Sequence, residues 1–197
     1  AAVKEAANVV GATGFTHDDQ VSKVSAVGLG MAKQTGVAQK MFRALAEQSV
    51  NLLMITTSEI KISVLVGRDD ALPALRTVHR AFELEKSPPD ATPVDPRGVR
   101  PTRSDAVAVV RRLQRMEDLA IDDVALDDTQ ALVTVRRLPD RPGIAAALFD
   151  QIAAAGIFVD MIVQSFGREG QAHVSFTVPQ ADLKRAVQIA EQLARDW

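Results

Sequence analysis

The feature that most constrains this chain is an internal repeat. Gly36-Val37, Phe42, Asn51 to Ile55 and Ser58 return as Gly143-Ile144, Phe149, Phe158 to Ile162 and Ser165, each pair 107 positions apart. Beyond Ser58 and Ser165 the interval widens to 112, because Phe166-Gly167-Arg168-Glu169-Gly170 is longer than its counterpart, so that Ile62-Ser63-Val64 meets Val174-Ser175-Phe176. The chain therefore holds two copies of one folding unit. Function has to be sought in what the copies share and where they differ.

Each copy carries the same order of elements. In copy one, Lys23 to Leu29 alternates like a strand. Thr35 to Gln48 has Val37, Met41, Leu45 and Gln48 at helical spacing, with Thr35 as N-cap. Strands follow over Leu52–Thr56 and Ile60–Val66, then a helix capped by Asp69 that carries Leu72, Leu75, Val78, His79 and Phe82. Copy two repeats this as strand 131–138, helix 142–154, strand 157–163, a hairpin over 167–170, strand 171–178 and helix 180–195. The fold class is α+β: two ferredoxin-like βαββαβ units, each an antiparallel sheet with two helices on one face. Neither copy shows its fourth strand in place. Two orphan candidates, Ala12 to His17 and Leu119 to Leu126, suggest strand exchange between units or chain ends that cut through units.

Five of the nine prolines fall between Ser87 and Pro101, a composition that joins neither a helix nor an inner strand. The expected domains are thus a tail with the last strand of a preceding unit over 1–20, one unit over 21–86, a Pro-rich linker over 87–103, and a helix plus the second unit over 104–197. That helix, 104–117, starts at Ser104 and lines up Val107, Val110, Leu113 and Met116; its Arg111, Arg112 and Arg115 read as a solvated face.

Composition excludes some functions. With 23 basic against 25 acidic residues, a net charge of −2 gives no footprint for nucleic acid. The chain has no cysteine, which rules out disulfides, thiolate metal sites and thiol nucleophiles and points to a reducing cytoplasm. No apolar run approaches the roughly 18 residues of a membrane span, and the start, Ala1-Ala2-Val3-Lys4, has neither initiator Met nor signal-peptide pattern, as an excised piece of a longer protein would. His17, His79 and His173 lack metal-ligand spacing, and Gly28-Leu29-Gly30 continues to Lys33 where a dinucleotide loop needs glycine.

Two polar islands remain. Pro139-Asp140-Arg141-Pro142-Gly143-Ile144 leads into a helix whose free amides at Gly143, Ile144 and Ala145 suit a carboxylate, while Asp140 suits an ammonium group; the same residues equally make a helix cap with an exposed acid. Copy one has Ala32-Lys33-Gln34-Thr35-Gly36 there, without the acid, so the copies are not expected to bind one ligand equally. The second island, Thr56-Thr57-Ser58-Glu59-Ile60, suits a small zwitterion or an ordinary turn. Its counterpart, Val163-Gln164-Ser165, offers an amide that can orient a ligand or pin a neighbouring strand.

These residues carry a resemblance. Lys23 to Met31, Gly36-Val37-Ala38, Met41-Phe42, Leu45-Ala46-Glu47 and above all Thr57-Ser58-Glu59-Ile60-Lys61-Ile62-Ser63 resemble the second ACT domain of bacterial aspartate kinases. Copy two, with Val133-Thr134-Val135, Pro139 to Gly143, Asp160 to Gln164 and Ser175 to Pro179, resembles the first ACT domain of those enzymes. The order is the reverse of the usual pair. A four-ACT aspartate kinase explains it, with the 107-residue interval as a boundary between a second-of-pair unit and the first unit of the next pair.

The resemblance implies regulation. Members phosphorylate the side-chain carboxylate of aspartate with ATP, and their ACT domains bind end-product lysine or threonine between paired units. It implies a homodimer through ACT–ACT pairing, and no kinase activity, catalytic residue or cofactor in this segment, with ATP and Mg held by a kinase domain outside it. By position, the effector site of copy two would use Asp140, Pro142, Gly143, Ile144, Ala145, Asp160, Gln164 and Ser165, with Thr57, Ser58 and Glu59 facing it or a related cleft. Two departures bear on effector identity: Gln164-Ser165 stands where many relatives have Gln-Asn, and Gln34-Thr35 where relatives have His-Pro. The rival readings are a ligand-free assembly module and a small ferredoxin-like hydrolase, the latter lacking paired carboxylates beside a base or nucleophile.

Overall fold

Strand alternation places one apolar row on each strand of both copies, and a half-apolar strand needs a helix layer to cover that row. The computed structural model describes residues 2–14, 16–28, 31, 35–58, 60–86 and 126–197. Its elements are α1 (Ala2–Val9), β1 (Val21–Val27), α2 (Val37–Glu47), β2 (Met54–Ser58), β3 (Lys61–Gly67), α3 (Ala71–Ala81), β4 (Gln130–Pro139), α4 (Ile144–Ala154), β5 (Ile162–Arg168), β6 (Gln171–Pro179) and α5 (Leu183–Asp196). Two units result: Ala1–Phe82 with Gln130–Trp197, and Glu83–Thr129, which is described only at its ends. At those ends Lys86 pairs with Glu83 at 2.9 Å, and the Asp127 carboxylate accepts from the Thr129 amide at 2.8 Å.

Both copies lie in the first unit and share one antiparallel sheet in the order β1-β3-β2-β5-β6-β4. The junction is β2 against β5, where Ile55 faces Gln164 and Thr56 faces Val163. Val163 is the counterpart of Thr56 at the 107-residue interval, so an approximate two-fold axis passes through this pair. The interval therefore joins two units that pair edge to edge, the β2 and β5 edges satisfying each other's ladder.

Val24, Ile55, Ile62, Val64, Ile162, Val174, Phe176, Val133 and Leu138 point to one face and are buried. They meet Met41, Phe42 and Leu45 of α2, Ala74 and Val78 of α3, Leu148, Phe149 and Ile152 of α4, and Ala186 and Ala190 of α5. At the centre Phe42 packs on Phe149, its own counterpart, with ring centroids 5.6 Å apart, and Phe149 meets Phe176 edge-on at 5.4 Å. Such ring pairs add about 0.5–1.5 kcal/mol each beyond burial. A bulge in β4 between Val135 and Leu138 puts two residues opposite His173, whose Nδ1 accepts the Arg137 amide at 3.1 Å.

Several expected elements shift. Thr35 does not cap α2; Gly36 does, with φ 87°, and Asp70 rather than Asp69 precedes α3. Strands β2 and β5 begin at Met54 and Ile162, later than expected, because Val50–Leu53 and Ile157–Met161 run as extended lead-ins. Residues 12–14 and 16–17 form no strand, and α1 stands where a tail was expected. A strand needs a neighbouring ladder, and among the described residues β1 and β4 are the outer edges with no further partner. Among the described residues each copy thus contributes three strands. The linker 87–103, the helix 104–117 and all of 119–126 except Leu126 lie outside the described residues.

Candidate functional site: two clefts between the copies

The two-fold arrangement sets the start of each first helix against the strand lead-in of the other copy. Cleft one, about 600 Å³ and open to solvent, lies between Thr35 to Gln39 at the start of α2, Thr57 and Ser58 of β2, and Val159 and Asp160 from copy two. Cleft two, about 360 Å³, lies between Asp140, Arg141 and Gly143 to Ala146 around the start of α4, Gln164 of β5, and Asn51 and Leu52 from copy one.

Each first helix begins on a glycine in the left-handed region, Gly36 at φ 87° and Gly143 at φ 91°, and neither has a side-chain cap. The first α-type bonds are Lys40 N–H to Gly36 O at 2.9 Å and Ala147 N–H to Gly143 O at 2.8 Å. The Ile144 amide reaches back to Arg141 O at 3.5 Å, so the first-turn amides left for an acceptor in the cleft are those of Ala145 and Ala146 in α4 and of Val37, Ala38 and Gln39 in α2. A β-carbon at Gly143 would meet no atom within 4 Å, whereas at Gly36 it would meet Gln39 Oε1 at 3.1 Å. Glycine is needed at 143 for its φ alone.

Counterpart side chains do the same work in the two clefts. Thr57 Oγ1 accepts the Ile162 amide at 2.8 Å and donates to Asp160 O at 3.4 Å. Gln164, its counterpart, is 4% exposed and donates from Nε2 to Leu52 O at 2.5 Å. The choice left open for Gln164 is settled for its Nε2, which pins the lead-in of the other copy. What differs is where the acid stands: Asp160 on the lead-in in cleft one, Asp140 before the helix in cleft two. In cleft two Asn51 Nδ2 donates to Asp140 Oδ1 at 2.9 Å, while the Asp140 amide donates to Gly170 O at 2.9 Å. The carboxylate is thereby held half-buried at the cleft wall.

The residues expected as one site therefore divide. Asp140, Gly143, Ile144, Ala145 and Gln164 line cleft two; Thr57, Ser58 and Asp160 line cleft one. Asp160 does not join Asp140, because antiparallel pairing carries each lead-in to the opposite copy's helix. Pro142 is exposed on the turn, Ser165 is exposed on the sheet face away from the helices, and Glu59 lies outside the described residues. Sequence reasoning missed Asn51, Leu52 and Val159. The 107-residue interval held the signal, since it makes the lead-ins equivalent and leaves only their partners to be found. Among the described residues no group of His, Asp or Glu could hold a metal ion.

A model of the ACT domain matches residues 24–82 and 134–193, more than half of the chain. The chain belongs to the ACT domain family. Each match covers most of one copy, so the ACT units coincide with the repeat. An aspartokinase from Pseudomonas aeruginosa is 46% identical over 83 residues, 42% of this chain and 20% of that protein. Aspartokinase 2 from Bacillus subtilis is 44% identical over 71 residues, 36% of this chain and 17% of that protein. The chain spans about a fifth of the length of the curated relatives it matches. Among solved structures, the aspartate kinase from Synechocystis aligns over 91% of this chain and 28% of its own, with TM-score 0.69 and 34% identity. That alignment takes in both ACT units at once. No helix among the described residues is long and apolar enough to cross a membrane.

Proposed function

We propose that this chain is a regulatory ACT segment of an aspartate kinase that binds an end-product amino acid, lysine or threonine, for feedback control. The observation that carries this reading is the pair of inter-copy clefts, each walled by the open first turn of one copy and the lead-in of the other. A free amino acid presents a carboxylate to such a first turn and an ammonium group to an acid or a carbonyl. Because each cleft is built from both copies, a ligand in it favours one arrangement of the pair over others, and that preference is what an attached enzyme would report as lost activity. Couplings of this kind amount to about 1–3 kcal/mol. Kinase chemistry, with its ATP and Mg, belongs in this reading to a domain outside the segment, and the proposed setting is the cytoplasm.

Thermal unfolding with each of the common amino acids at millimolar concentration tests the reading. A rise in Tm with lysine or threonine, and none with the D-enantiomers, is expected. No shift with any amino acid would leave a ligand-free assembly module as the better description.

A further inference from the structure

The two-fold axis between the copies has a chemical consequence. A residue lying close to such an axis faces its own counterpart. Phe42 faces Phe149, and Thr56 faces Val163; these pairs are uncharged and would survive if a copy met its own kind. One pair would not. Arg43 faces its counterpart Asp150, with Nε to Oδ2 at 3.2 Å and Nη2 to Oδ1 at 3.0 Å.

We propose that Arg43 and Asp150 make this pairing surface heterotypic: copy one accepts copy two, from its own chain or another, and each copy rejects its own kind. Two copy-one units brought together by the same operation set Arg43 against Arg43, and two copy-two units set Asp150 against Asp150. The contact is open on one side. The Arg43 side chain is 54% exposed and that of Asp150 27%, but Asp150 Oδ1 is shut off from solvent with no well-aligned hydrogen bond, so the guanidinium 3.0 Å away is its counter-charge. A carboxylate in place of Arg43 would remove that counter-charge and add repulsion that salt partly screens.

A contact away from the axis points the same way. Asn51 donates to Asp140 only because a copy-one lead-in lies beside a copy-two turn. In a pair of copy-two units the residue offered to Asp140 would be Phe158, the counterpart of Asn51, which has no donor. Complementary charges at equivalent positions are a general way for paired units to choose partners. This inference concerns partner choice and stands whether or not an effector binds.

The test uses the full chain with Arg43→Asp, Asp150→Arg and the double reversal Arg43→Asp/Asp150→Arg. Urea unfolding should show each single reversal lowering the folding equilibrium constant by roughly three- to tenfold, with the double variant back within about twofold of the parent. The two single variants carry matched charges, acidic on both pairing faces in one and basic in the other. Mixed with one chain isotopically labelled, they should give one-to-one complexes above the statistical fraction in native mass spectrometry, at low salt and not at 1 M salt. Parent chains mixed in the same way should give only the statistical fraction. A double reversal as unstable as the singles, or a statistical mixture of the two single variants, would overturn the proposal.

Discussion

The two clefts are built from counterpart residues yet differ in chemistry. Cleft one is the larger, with Thr35, Thr57, Ser58 and Asp160 in its lining; cleft two is smaller, with the Asp140 carboxylate held by Asn51 and the buried Gln164 amide bonded to Leu52 O. A repeat thus fixes the scaffold of a site without fixing its ligand. The open first turn and the borrowed lead-in recur because they follow from the fold and the axis. The place of the acid does not recur: Asp140 precedes the helix of cleft two, whereas cleft one has its acid, Asp160, on the lead-in.

The comparison can be broken most severely at its shared centre. Phe149→Ala removes a ring that is 3% exposed and touches both Phe42 and Phe176, at an expected cost of about 3–5 kcal/mol in urea unfolding. Because Phe149 lines cleft one as well, both copies should lose order together, seen as a single shifted transition. Two separate transitions would show that the copies fold independently.

Smaller changes ask whether counterparts are equal. Gln164→Leu orphans the Leu52 carbonyl, and Thr57→Val orphans the Ile162 amide; each should cost about 1–3 kcal/mol. Hydrogen exchange should separate them, with faster exchange around Leu52 in the first and around Ile162 in the second. Gly143→Ala meets open space and pays only for its positive φ, about 1–2 kcal/mol, whereas Gly36→Ala must also push Gln39 aside and should fall further in Tm. The smallest expected effect is Asn51→Ala, about 0.5–1.5 kcal/mol, confined to cleft two.

Much of the fold is legible in the sequence because it is written twice. Alternation in Ile62 to Val66 and the 3.6-residue stripe of Met41, Phe42 and Leu45 are local signals, and both copies agree on them. Pairing was not legible. Nothing local in Thr56 or Val163 says that they face each other. The site was half legible for the same reason. Asp140, Gly143 and Thr57 stand out as polar or glycine residues at helix and strand ends, whereas Asn51 matters only through a partner 89 residues away. The fourth strands, which no described residue supplies, fall in the same class, since an edge such as β1 can be completed by any chain that reaches it.

The central claim is that the clefts between the copies hold an amino-acid effector and hold it unequally. Isothermal titration of the chain with lysine and with threonine, repeated on Asp140→Ala and on Thr57→Val, tests it most directly. Saturable heat is expected with at least one of the two, with Asp140→Ala weakening binding in cleft two about tenfold or more and leaving any cleft-one event in place, and Thr57→Val doing the reverse. No heat at millimolar effector, or the same affinities in all three proteins, would contradict the account.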